Sequence, residues 1–137
     1  MAAFNKVEPF VEDLAEKKHD LGSDQLKVAL CNASNAPSAS DGVLADLTEI
    51  AYTNLSSRDV TTSTSAQTSG TYKLVCADLV LTASGTVAAF RYVVLYNDDA
   101  TSDELIGYYD YGSEVTLNNG DTFTIDFDQS NGVLTLT

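Results

Sequence analysis

The chain contains no tryptophan and a single histidine, His19. Sugar-binding clefts commonly present aromatic platforms, so the missing indole counts against a carbohydrate-binding module. One imidazole cannot build a histidine-based metal set, and no sequence feature pairs His19 with a nucleophile. It sits on the polar side of a predicted helix, beside Asp20, and reads as a solvated surface residue. The two cysteines, Cys31 and Cys76, lie far apart inside apolar, strand-like runs. They make no zinc site alone and read as reduced, buried thiols. Neither a Gly-rich phosphate loop nor a Gly-x-Ser-x-Gly elbow occurs. These gaps leave no candidate catalytic, cofactor-binding or metal-ligating residue, and the chain is not read as an enzyme.

Basic residues are also scarce. All seven lie at or before Arg91. Nine acids follow without a base: Asp98, Asp99, Asp103, Glu104, Asp110, Glu114, Asp121, Asp126 and Asp128. The net charge of -13 repels phosphate backbones and anionic lipid heads, so neither nucleic acid nor membrane is expected as a partner. A basic protein surface suits it better. "MAAFNKVEPFVEDLAEKKHD" carries acids from Glu8 on and has no apolar core, which argues against a signal peptide. No apolar run approaches the roughly 20 residues of a membrane span.

What is present is the material of one β-rich domain over residues 1–137. An amphipathic helix is predicted over about 5–21, with Asn5 and Glu8 as a capping pair and Gly22 as its stop. Val7, Phe10, Val11, Leu14 and Lys18 form its inward stripe, while Glu8, Glu12, Asp13 and Glu16 face water. From about residue 25 the pattern is β. "QLKVALC" alternates. "VLADLTEIAY" fits a short helix or a strand. In "TNLSSRDVTTSTSAQTSGT", eleven of nineteen residues are Ser or Thr, and the prediction is an exposed strand near 58–64 followed by a loop. "YKLVCADLVLTA" and "TVAAFRYVVLYN" read as two long strands joined near Ser84–Gly85, with "ELIGYYDYG" next. "EVTLNNGDTFTIDFD" reads as a hairpin about Asn119–Gly120, with Phe123, Ile125 and Phe127 on one face. "NGVLTLT" closes the chain as a strand. About eight strands with short connections indicate an antiparallel β-sandwich or barrel with one N-terminal helix.

Three features invite a functional question. The acids Asp98, Asp99, Asp103 and Glu104 lack the order of a calcium loop, and they suit a polar connection between two strands. Arg91 lies mid-strand among apolar residues, where Asp110 or Asp126 is a candidate partner. Tyr108, Tyr109 and Tyr111 are favoured both in strands and at interfaces; Tyr109 and Tyr111 share one face and Tyr108 takes the other. Together with Phe10 and Arg91, the three tyrosines are the interface candidates.

The run "FVEDLAEKKHDLGSDQLKVALCN", then "LADLTEIA", then "FRYVVLYND", "LIGYYDYG" and "GDTFTIDFD", resembles a family of small structural proteins of tailed bacteriophages. Its members read as capsid decoration (cement) proteins or other virion components. The resemblance covers nearly the whole chain, although "YTNLSSRDVTTSTS" stands where many relatives carry a Gly-rich segment. It implies a decoration protein, made in the host cytoplasm and carried on the virion. Such a protein would bind the outside of the major capsid protein shell, most simply as a homotrimer. The alternative it leaves open is a tail or neck component such as a tail tube, adaptor or fibre-base module. The family pattern carries no catalytic residue.

Overall fold

The computed structural model describes residues 2–137. It is mainly β, with ten strands in antiparallel sheets and one short helix near the N-terminus. The strands are β1 (Asn5–Lys6), β2 (Leu26–Cys31), β3 (Asp59–Val60), β4 (Thr62–Thr68), β5 (Thr71–Cys76), β6 (Leu79–Thr82), β7 (Phe90–Asn97), β8 (Leu105–Val115), β9 (Thr122–Ile125) and β10 (Leu134–Leu136). A five-stranded sheet runs β1-β8-β7-β2-β3, a three-stranded sheet runs β10-β5-β4, and β6 pairs with β9 alone. The end strands of each sheet pair with a strand on one side only, and the three sheets share one hydrophobic core. That core extends from Val7 to Leu134 and includes Phe10, Leu26, Phe90, Leu105 and Phe127.

The central strands explain their sequence. Leu26–Cys31 lies between β7 and β3, with Val28, Ala29, Leu30 and Cys31 all buried. The alternation expected of "QLKVALC" gives way to burial on both faces. The segment before β3 covers the rest of that edge. Leu44–Asp46 is a single 3₁₀ turn, which settles the ambiguity of "VLADLTEIAY". Beyond it, Ile50 N–H donates to the Leu30 carbonyl, Leu30 N–H to the Tyr52 hydroxyl, and Arg58 Nη1 to the Val28 carbonyl at 2.6 Å. The Arg58 guanidinium lies 3.6 Å over the Tyr52 ring.

The helix is shorter than its pattern suggested. α1 spans Pro9–Ala15, and Glu8 stands at its N-cap. Asn5 is no cap, because Asn5 and Lys6 pair with Tyr108 and Gly107 of β8. The crossing needs glycine: a Cβ on Gly107 would sit 2.4 Å from a Phe4 ring carbon and 2.5 Å from the Asn5 carbonyl oxygen. Nor does the helix reach Gly22. Lys17 takes φ 69°, Lys18 N–H reaches the Asp13 carbonyl and Lys17 N–H the Leu14 carbonyl, a Schellman stop with lysine in the left-handed position. Of the predicted stripe, Val7 and Phe10 are fully buried, Leu14 packs at the margin, and Val11 is 52% exposed. Asp13, expected in water, is buried and held by Lys18 at 2.8 Å.

Two further expectations change. The Ser/Thr-rich stretch holds the strand expected near 58–64, but no loop follows at 65–68: Thr62–Thr68 forms a hairpin with Thr71–Cys76 around Ser69 and Gly70, both at positive φ. "YKLVCADLVLTA" is two strands in different sheets, broken at Ala77–Asp78, where the Asp78 carboxylate accepts the Phe127 N–H. Consequently β6 does not meet β7. β9 pairs with β6, in the register Leu79↔Ile125 to Thr82↔Thr122, and not with "EVTLN". The Asn118–Asp121 turn exists, but it links β8 to a different sheet.

Candidate functional site

The β7–β8 hairpin answers the question of the acidic cluster. Asn97 Oδ1 accepts the N–H groups of Asp99 and Ala100, Asp99 accepts the Gln25 N–H at 2.8 Å, and Glu104 accepts the Ser102 N–H at 3.1 Å. These side chains serve the turn. Among the described residues, no group of three or more His, Cys, Asp or Glu has a geometry able to hold a metal ion.

His19 lies below this tip, and the expectation of a solvated histidine is wrong: only 6% of it is exposed. Its ring packs 5.1 Å from Phe10. The Asn97 amide has its oxygen fixed by the two turn N–H groups. Its nitrogen therefore donates to Asp24 at 2.6 Å and to His19 Nδ1 at 3.1 Å. That assigns the neutral ring's proton to Nε2, which has no partner. Burial pushes the His19 pKa below its ordinary value, against the pull of Asp13, Glu104 and Asp24.

The tyrosines define the other feature. Opposite Arg91 of β7, β8 carries four residues, Tyr111 to Glu114, between the pairs Tyr92↔Asp110 and Phe90↔Val115. This wide bulge needs Gly112, at φ 95°, and is tied by the Gly112 N–H to Asp110 Oδ1 at 2.8 Å. Arg91 grips the same carboxylate through Nε at 2.8 Å and Nη2 at 3.0 Å. Of the two partners expected for Arg91, Asp110 is the one found. The Arg91 contact, with the Gly112 N–H, holds the Asp110 carboxyl below the usual range. The bulge turns Tyr111 outward, where it is 55% exposed.

Tyr109 and Tyr111 indeed share a face, and there they wall a cleft of about 250 Å³ with Ala2, Val93, Phe123, Thr124, Ile125 and Asp126. Three consecutive residues of β9, Phe123 to Ile125, and Asp126 just after it line the cleft, which therefore follows the edge of that strand that pairs with no other strand. Tyr111 meets Phe123 edge-on at 5.2 Å, and Tyr109 packs between Phe4 at 5.2 Å and Phe127 at 6.1 Å. Burial, then Cys76, Asp126 and Asp128, push the Tyr109 phenol up to about 12, so its hydroxyl stays neutral.

The remaining candidates lie elsewhere. Tyr108 is half-buried and faces away from Tyr109, with Val94 opposite it on β7. Phe10 is wholly enclosed by its own chain, which removes it as an interface residue in this conformation. Sequence reasoning missed Val93, Phe123, Ile125 and Asp126 as neighbours of the tyrosines. The alternation of β9 was visible, but its placement across from β8 was not. In comparisons with protein-family models, curated proteins and solved structures, nothing matches this chain.

Proposed function

We propose that the protein is a capsid decoration (cement) protein of a tailed bacteriophage, bound to the outside of the major capsid shell as a homotrimer that stabilises it. The observation that carries this reading is the open aromatic cleft, with Tyr111 projecting from a glycine-dependent bulge. Amphipathic rings held on a rigid strand are typical anchors of protein interfaces. A second support is β4. Its seven residues, Thr62–Thr68, carry no charge in a chain of net charge -13, and its outer edge pairs with no strand. An uncharged edge accepts another chain without like-charge repulsion. In a trimer, three modest patches act at high effective concentration, so durable attachment needs no single large interface. The acidic surface also keeps decorated particles apart.

Copy number in purified particles tests the reading. Decoration requires stoichiometry on the scale of the shell lattice, and stripped particles that remain assembled but lose resistance to heat. Copy number on the scale of one ring, or density confined to the tail, replaces it with a tail or neck role.

A further inference from the structure

We propose that the Tyr109–Tyr111 cleft takes a cationic side chain, an arginine or lysine, from the protein on which this face docks. The inference rests on the docking reading above and adds the chemistry of the partner. Three kinds of group converge there: the rings of Tyr109, Tyr111 and Phe123, the Asp126 carboxylate at the lip, and the free main-chain edge of β9. Ring faces and carbonyls attract a cation, and the carboxylate fixes its charge. An apolar stem fits against Val93 and Ile125 while its charged head meets Asp126.

The chain supplies no such cation itself among the described residues. Asp13, Asp59 and Asp110 each have a base: Lys18, Lys27 and Arg91. Asp126 has none, and no basic residue follows Arg91 in the sequence. The volume of about 250 Å³ falls below the roughly 300–1,000 Å³ of ordinary small-molecule pockets, so it suits one side chain and not a whole ligand.

The test is a titration of isotope-labelled protein with N-acetyl-arginine amide, read from the amide shifts of Tyr109, Tyr111, Phe123 and Asp126. N-acetyl-norleucine amide serves as the neutral match. Saturable binding at millimolar affinity is expected, as for a single side chain without its protein. The neutral match, Asp126→Asn and Tyr111→Ala should each weaken binding roughly fivefold. Both substituted side chains are exposed, so the fold should survive. Salt should weaken the wild type more than Asp126→Asn. Absence of saturable shifts, equal binding of the neutral amide, or indifference to Asp126→Asn overturns the proposal. Particle binding separates this failure from failure of the shell reading. If Asp126→Asn decorates shells like the wild type, the cleft proposal falls and decoration stands. If the wild type ignores shells yet binds arginine amide, the reverse holds.

Discussion

Replacing Phe10 with alanine should be the most damaging single change in the N-terminal region. A seven-residue helix has almost no stability of its own. It persists because Val7 and Phe10 are fully buried in the core. Loss of the ring removes its transfer free energy and leaves a cavity beside His19, whose imidazole packs 5.1 Å away. The expected cost is about 3–5 kcal/mol. For a domain of this size that lowers Tm by about 10–20 °C. Val11→Ala is the matched control one residue away; at 52% exposure it should cost no more than about 0.5 kcal/mol. Thermal melts read the pair. Hydrogen exchange at Glu16 and Lys18, whose N–H groups reach the Glu12 and Asp13 carbonyls, shows whether the helix alone opens or the domain loosens. An unchanged melt for Phe10→Ala, or equal losses for both variants, would refute the docking of this face.

Further outcomes follow from individual groups. The folded pKa of His19 is depressed, so the neutral ring contributes stability above the ordinary pKa of 6.5 that is lost as pH falls below it; urea denaturation at pH 7 and 5 should show a larger loss for wild type than for His19→Gln. Gly112→Ala should cost about 1–2 kcal/mol through its left-handed backbone alone, because open space surrounds the site; a denaturation midpoint unchanged from wild type would remove the case for strain. Burial pushes both thiols, Cys31 and Cys76, up to about 11, so an aromatic disulfide reagent at neutral pH should label them only after unfolding, and rapid labelling of native protein would contradict their burial.

Local chemistry was legible where neighbours in sequence are neighbours in space. The acidic connection after "VVLYN" was readable as a turn because Asn97 and Glu104 accept N–H groups from their own loop. The alternation of Phe123, Ile125 and Phe127 survived because β9 has one face to the core. Where distant segments decide, pattern failed. Asn5 and Glu8 have the spacing of a helix cap, yet pairing of Asn5 and Lys6 with β8 across Gly107 outweighs it. Asp13 and His19 looked solvent-facing because a helical wheel does not show that the β7–β8 tip folds over the helix end. One weak signal existed: the single histidine next to two lysines and two acids had a charged neighbourhood able to support burial.

The site shows the same division with a functional consequence. Period-two reasoning placed Tyr109 and Tyr111 on one face, and they do line one cleft. It cannot anticipate the four-residue bulge that sets Tyr111 apart from the ladder, although Asp110 and Gly112 on either side of that residue are the groups that hold it. The bulge also explains the use of the last base in the chain. Arg91 stands opposite the extra residues and closes on Asp110, which ties the bulge down and leaves Asp126 across the cleft with no basic partner among the described residues. Had Arg91 reached Asp126 instead, the lip would be neutral and the tyrosines would offer an apolar contact only. Selecting Asp110 keeps the cleft negative beside exposed rings. That arrangement costs stability through the ladder pairing lost at the bulge and the unneutralised carboxylate, and local costs of this kind are expected where a surface is shaped for a partner rather than for the fold.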